Sequence, residues 1–165
     1  MTSLPEAIWH RRLKSEAELM SKSEFTYSVN DKLTEYLVTL NADGLKLSNG
    51  QITKQKIHQV KITLNREYPY PAGLEVTWMT QIFHPNIREE DGKVCIHLLN
   101  AWSADITVLS LCRGIKQLLE NPNPLDPLNK PAADYYIENP KVLEMDEKSI
   151  PQKEMPSRPK IIFER

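Results

Sequence analysis

The chain has 165 residues, 40% of them hydrophobic and 26% charged, which suits one domain around a single core. Its net charge of -1 supplies no global field for nucleic acid, and no basic patch is interleaved with aromatic residues. No apolar run approaches the ~18 residues of a spanning helix, and Met1 to Met20 lacks the apolar centre of a signal peptide. The expectation is a protein without nucleic-acid or membrane partners, in an intracellular, cytoplasmic setting.

Ser3-Leu4-Pro5-Glu6 has the form of a capping box, and Trp9, Leu13, Ala17 and Met20 follow at helical spacing on one face. Arg11, Arg12 and Lys14 lie off that face, where a solvated helix surface is the ordinary reading. From Glu24 the period becomes two: Phe25, Tyr27 and Val29 alternate with polar residues, then Tyr36, Val38 and Leu40. Asp43-Gly44 and Asn49-Gly50 are turn signals around these runs. Two further strands are expected over 57–64 and 74–79, giving an antiparallel meander preceded by one helix. The two prolines and glycine in Tyr68-Pro69-Tyr70-Pro71-Ala72-Gly73 exclude a regular strand there.

His84 to Trp102 shows no sustained period of either kind, and a loop of that length in a compact domain usually carries function. Ile106 to Glu120 has a broad apolar stripe and reads as a buried helix, stopped by Asn121-Pro122-Asn123-Pro124. A shorter helix is expected from about Pro131 to Glu138, with proline at its start. Beyond Pro140 the chain turns to prolines and charges of both signs, so the division expected is a core over 1–140 and a tail over 141–165.

The two cysteines, Cys95 and Cys112, make no disulfide framework and no CxxC pair. The four histidines show no ligand spacing, so no metal and no cofactor are expected. Cys112 falls on the buried face of the expected helix and is assigned to the core. Cys95 lies in the irregular stretch after Asp91-Gly92, where another macromolecule could reach its sulfur. A cysteine that takes up and releases an acyl group needs a nucleophilic sulfur that is also a good leaving group, and a donor to the oxyanion formed in between. A side-chain amide such as Asn86 can supply that donor, and an acid near the acceptor lysine would orient the amine. The spacing alone does not choose among the acids. A thiol protease would need an aligned histidine; His84 and His97 are near in sequence, but no protease signature surrounds Cys95.

Taken in order, these segments resemble the ubiquitin-conjugating enzyme family. Tyr68-Pro69 with its following prolines is similar to the family's YPxxPP turn, and His84-Pro85-Asn86-Ile87 to its HPN motif. Asp91-Gly92-Lys93-Val94-Cys95-Ile96 resembles its active-site element, followed by Trp102-Ser103, Thr107 and the helix ending in Leu118-Leu119. Asn121 to Asn129 is similar to the PNPxDPLN segment, so the resemblance covers about residues 3–139. It implies an α/β (α+β) sandwich: an N-terminal helix, a four-stranded antiparallel meander, a crossover helix and a short C-terminal helix.

The resemblance also implies roles. Cys95 would carry ubiquitin or a ubiquitin-like modifier as a thioester, taken from an activating enzyme and passed to a lysine of a protein substrate with a RING-type ligase. Asn86 would serve as oxyanion or loop-organising amide within the His84-Pro85-Asn86 motif, and Asp126 as the acid beside the acceptor lysine. Arg11, Arg12 and Lys14 fall where the family docks its activating enzyme. Tyr70, Trp102 and Ser103 fall where ligases and that enzyme bind. The chain departs from the pattern in its YPYPAG turn, in one extra residue between Asn86 and Cys95, and in Arg88 at a place where some members carry an aromatic. The reading from another class is a non-catalytic scaffold of the same fold that binds a modifier or a conjugating enzyme.

Overall fold

The computed structural model describes residues 2–95 and 105–152. Helix α1 spans Glu6–Ser21, followed by strands β1 (Thr26–Val29), β2 (Glu35–Ser48), β3 (Gln51–Leu64) and β4 (Leu74–Trp78). Helices α2 (Val108–Glu120) and α3 (Lys130–Glu138) follow. The strands form one antiparallel sheet in sequence order, as the alternating pattern implies. Tyr36, Val38 and Leu40 of β2, Val60, Ile62 and Leu64 of β3, and Val76 and Trp78 of β4 turn to one side of it. There they meet Leu13 and Met20 of α1 and Leu111, Cys112, Ile115 and Leu119 of α2 in the main core. No described helix is long and apolar enough to cross a membrane.

The caps decide where the helices begin. At α1 the expected box around Ser3 does not form: the cap is Pro5, in extended conformation and without a side-chain cap bond. Its carbonyl accepts from Trp9 N at 2.9 Å, so the helix starts directly after the proline. Thr107 does make a capping box with Ser110 at the start of α2, and the Asn129 side chain accepts from Ala132 N at 3.2 Å to start α3.

The β2–β3 hairpin is longer than the pattern suggests. Its turn is Asn49-Gly50, both at positive φ, the backbone that two-residue hairpin turns favour. Asp43-Gly44 is not a turn. The register shifts between Asn41 and Gly44, so the pair forms an irregularity inside β2. A Cβ on Gly44 would come within 2.9 Å of the His58 ring and of Leu119 Cδ1, so close packing against β3 and α2 favours glycine at this place.

Beyond the shift, Leu45 and Ile52 build a second core with Phe83, Ala132, Tyr135, Tyr136, Val142 and Ile150. The stretch expected as a tail therefore divides. Residues 141–152 pack on this second core through two 3-10 turns, Val142–Glu144 and Glu147–Ser149. The Tyr135 hydroxyl donates to Pro151 O at 2.7 Å, and the Gln152 side chain pairs with both backbone groups of Ile52 at 2.8 Å. The mixed charges of this stretch face outward while Val142 and Ile150 supply the anchors, which is why composition alone reads it as a tail. Residues 153–165, with Ile161-Ile162-Phe163, lie outside the described residues.

Candidate active site

His84, Pro85 and Asn86 are buried, and each is wired to a different element. The Asn86 backbone N–H donates to His84 Nδ1 at 3.0 Å, which leaves the proton on Nε2, and that nitrogen bonds Leu118 O at 2.9 Å. Both ring nitrogens are thus engaged, Nδ1 within the motif and Nε2 at the end of α2. Burial holds the imidazole neutral and lowers its pKa to about 4. His84 is therefore not placed to act as a base for a nucleophilic cysteine, and His97, the other candidate, lies outside the described residues. Pro85 O accepts from Leu128 N at 2.8 Å and Asn129 N at 3.0 Å. The Asn86 amide grips the backbone of Asn123 in both directions: Nδ2 donates to Asn123 O at 2.7 Å, and Oδ1 accepts from Asn123 N at 2.9 Å. One short motif fixes the C-terminal end of α2, the loop 121–129 and the start of α3.

Cys95 is attached to the same motif through the backbone. Its N–H donates to Asn86 O at 3.0 Å, and Val94 pairs with Ile87, so the chain doubles back beside the motif as a narrow ribbon. Ile87 and Val94 are each 1% exposed and point inward. Alternation along extended chain then sends Cys95 to the opposite side, where it is half-buried. Cys112 contrasts with it, since it is buried on α2 and desolvation pushes its thiol up to about 12.

The turn between the two arms of the ribbon forms a lip. Arg88 pairs with Asp91 through Nε at 2.9 Å and through Nη2, and Asp91 also accepts from Lys93 N at 3.1 Å. The guanidinium beside it lowers the Asp91 carboxyl to about 2. Gly92 has φ 73° and sits so tightly on β4 that a Cβ would lie 2.1 Å from Trp78 O. Its carbonyl accepts from Trp78 N at 2.7 Å. Pairing is intact on both sides of this turn, with Ile87 opposite Val94 and Arg88 N donating to Lys93 O. Arg88 stays at the lip as half of an ion pair.

The remaining predicted residues are spread around this centre. Asp126 is exposed in the loop that Asn86 and Pro85 hold, and no hydrogen bond or ion pair ties its carboxylate to another described residue. Tyr70 is half-buried at the entry to the short 3-10 turn Pro71–Gly73. Arg11 and Lys14 are exposed on α1. Arg12, grouped with them in sequence, is turned inward. It pairs with Glu16 at 2.8 Å, donates to Ile106 O at 2.8 Å and lies over the Tyr68 ring. Trp102 and Ser103 lie outside the described residues.

Sequence reasoning missed Glu16. It is 1% exposed and accepts from Arg12, from the Tyr68 hydroxyl at 2.8 Å and from Val108 N at 2.8 Å. A carboxylate at the first amide of α2 suits that helix terminus, and it ties α1 and the Tyr68-Pro69 turn to the end of the segment that follows Cys95. The available signal was position: Glu16 falls three residues after Leu13 and four before Met20, on the same face.

Comparison with known proteins places the chain among relatives of one family. A family model described as ubiquitin-conjugating enzyme matches residues 12–149. Ubiquitin-conjugating enzyme E2 6 of Arabidopsis thaliana is 30% identical over 145 residues, covering 87% of this chain and 76% of the relative. Ubiquitin conjugating enzyme E2 B of Dictyostelium discoideum is 28% identical over 132 residues, covering 77% and 84%. Among solved structures, the E2 domain of a Toxoplasma gondii ubiquitin conjugating enzyme superposes with a TM-score of 0.63 over 81% of this chain and 89% of that one. At 23% identity it speaks for the fold. A Plasmodium yoelii structure superposes with a TM-score of 0.64 at 26% identity, over 87% of this chain and 90% of that one.

Proposed function

Because the chain belongs to the ubiquitin-conjugating enzyme family, a family of transferases, we propose that Cys95 is the residue on which this member carries ubiquitin. The observation that carries this reading is the placement of Cys95. Its backbone is pinned to Asn86, its neighbour Val94 is turned inward, and its sulfur is on the accessible side. The sulfur attacks the carbonyl carbon of ubiquitin's activated C-terminus, displacing the thiolate of the activating enzyme. The thioester then meets an amine: nitrogen adds, the C–S bond breaks, and Cys95 leaves as thiolate while the amide forms. ATP is spent by the activating enzyme, so no nucleotide site is needed here.

The surroundings supply orientation more than acid–base chemistry. The Asn86 amide holds loop 121–129 in place, and an oxyanion role would need this buried side chain to turn its second Nδ2 hydrogen towards the sulfur. Asp126 projects from the clamped loop with its carboxylate in water, where it can accept a hydrogen bond from an incoming lysine and align it. Arg11 and Lys14 offer an exposed basic face of α1 for the activating enzyme, while Arg12 supports that face from within. Tyr70, Trp102 and Ser103 are assigned to ligase and activating-enzyme contacts, with a RING-type ligase and protein substrates as the partners, in the cytoplasm.

A charging assay tests this. The chain is incubated with activating enzyme, Mg-ATP and ubiquitin, then run without reductant beside Cys95→Ser and Cys112→Ser variants. A thiol-sensitive adduct that disappears with Cys95 and persists without Cys112 is expected. No adduct with ubiquitin or any ubiquitin-like modifier, from folded protein and active partners, would overturn the carrier role in favour of a binding scaffold.

A further inference from the structure

The arm of the ribbon that carries Cys95 carries a second nucleophile on the same side. Val94 is 1% exposed and paired with Ile87, so its neighbours Lys93 and Cys95 both project away from the core. Lys93 is exposed and Cys95 half-buried. Same-side neighbours on extended chain are about 6.5 Å apart, a distance that a flexible four-carbon stem can span. The backbone of this arm is fixed at each step. Lys93 N donates to Asp91 at 3.1 Å, Lys93 O accepts from Arg88 N at 2.9 Å, Lys93 bridges Thr77 of β4, and Cys95 N bonds Asn86 O. The nearest carboxylate on the lip, Asp91, is already forked by Arg88. No ion pair holds the Lys93 ammonium among the described residues. An exposed amine on a flexible stem thus sits two residues from the nucleophilic sulfur, on a backbone fixed at each step.

We propose that Lys93 is an internal acceptor, which takes ubiquitin from Cys95 of the same molecule when no substrate lysine arrives. This rests on Cys95 carrying ubiquitin as a thioester. The unprotonated Nζ adds to the thioester carbonyl carbon, the C–N bond forms and the C–S bond breaks. The electron pair leaves on Sγ, and one amine proton passes to sulfur or solvent. The products are an amide on Lys93 and the free Cys95 thiol, and no further reagent is consumed. Tethered groups meet at effective concentrations of millimolar or more, above the micromolar level of most protein acceptors.

The consequence is self-limitation. Lys93 borders a groove of about 620 Å³ that runs beside β4 past Asn65, Glu75, Thr77 and Arg88. Ubiquitin fixed at its edge would stand over the neighbouring thiol and obstruct the next charging or discharge. An enzyme charged without an acceptor would therefore mark and disable itself, and substrates would keep it active by outcompeting Lys93.

The test uses the full chain with activating enzyme, Mg-ATP and ubiquitin, without ligase or substrate. Samples are followed on reducing and non-reducing gels, and modified lysines are mapped by peptide mass spectrometry. The thiol-sensitive adduct should give way to a thiol-resistant one, at a first-order rate independent of the concentration of charged enzyme. The remnant should map to Lys93. Lys93→Arg should charge like the parent and form the resistant adduct about tenfold more slowly or less, whereas Lys130→Arg should change nothing. A thioester that only hydrolyses, a remnant on another lysine, or a rate that rises with enzyme concentration would overturn Lys93 as internal acceptor and leave the carrier reading standing. Absence of any thioester would instead overturn the carrier reading, and this inference with it.

Discussion

The two sides of the Cys95 ribbon are built by different physics. On the inner side, His84 and Asn86 are buried, uncharged, and matched to backbone groups of α2 and loop 121–129. On the outer side, Arg88 and Asp91 are exposed and held by charge. Buried backbone carbonyls and amides require partners, so the inner side has one arrangement that satisfies it. An exposed ion pair is screened by water and salt and specifies much less. The position of Cys95 is thus set from within, and the lip can change its chemistry without displacing Cys95.

The largest effect that would test this contrast is at Asn86. Asn86→Ala removes two hydrogen bonds at once and leaves both backbone groups of Asn123 to find water. The expected loss is about 2–4 kcal/mol of stability, read from urea unfolding. The bond from Cys95 N to Asn86 O is made by backbone and survives. Charging by the activating enzyme should therefore fall less than discharge to a lysine acceptor, because the loop with Asp126 loses its clamp. An equal loss in both steps would show that the side chain also holds Cys95.

A second test uses acid. His84 is neutral in the folded chain, with its pKa lowered to about 4 by burial, and unfolding returns it to the ordinary histidine range near 6.5. Between those values the unfolded state binds more protons. Stability is therefore fully present above pH ~6.5 and falls by up to about 1.4 kcal/mol per pH unit as the pH drops towards 4. Buried His58, shifted down by desolvation, adds in the same direction. The lip titrates elsewhere: Asp91 is held down to about 2, so its contribution is present above the ordinary carboxylate range and fades only as the pH falls below about 4. Unfolding midpoints from pH 7 to pH 4.5 should show the slope, and His84→Gln should flatten it at the expense of stability at neutral pH. An unchanged slope in that variant would assign the acid sensitivity to His58 alone.

The same contrast explains what the sequence could reveal. The order of elements was legible, because strand alternation and the apolar stripe of 108–119 report directly which side of each element is buried. The hairpin beyond Asn41 was not. Asp43-Gly44 reads as a turn, and only the contact of Gly44 with His58 and Leu119 shows that the glycine serves packing instead. The motif around Asn86 was legible as a site, while its work of gripping Asn123, 37 residues away, depends on a loop position that no local pattern encodes. Arg12 and Glu16 look like ordinary surface charges on α1 and are a part-buried pair, with the carboxylate fully inside. Their burial depends on Tyr68 and Val108, which meet them only in the folded chain.

The smallest effect should come from the lip, and its smallness is the sharpest check on the contrast. Arg88→Ala removes an exposed ion pair but leaves the backbone bonds between Arg88, Gly92 and Lys93, the seat of Gly92 on Trp78, and the second role of Asp91 as acceptor from Lys93 N. The unfolding midpoint should stay close to that of the parent. Raising salt from about 0.05 to 0.5 M should narrow even that difference, since the Debye length drops well below the size of the turn. Charging of Cys95 should persist, because its anchor at Asn86 is on the other side of the ribbon. A change in the lip should be felt instead by whatever approaches over it, so the ranking of acceptor substrates should move while the charging rate does not. If Arg88→Ala slows charging as strongly as Asn86→Ala slows discharge, the lip takes part in placing Cys95 and the division between a fixed inner side and a tolerant outer one is wrong.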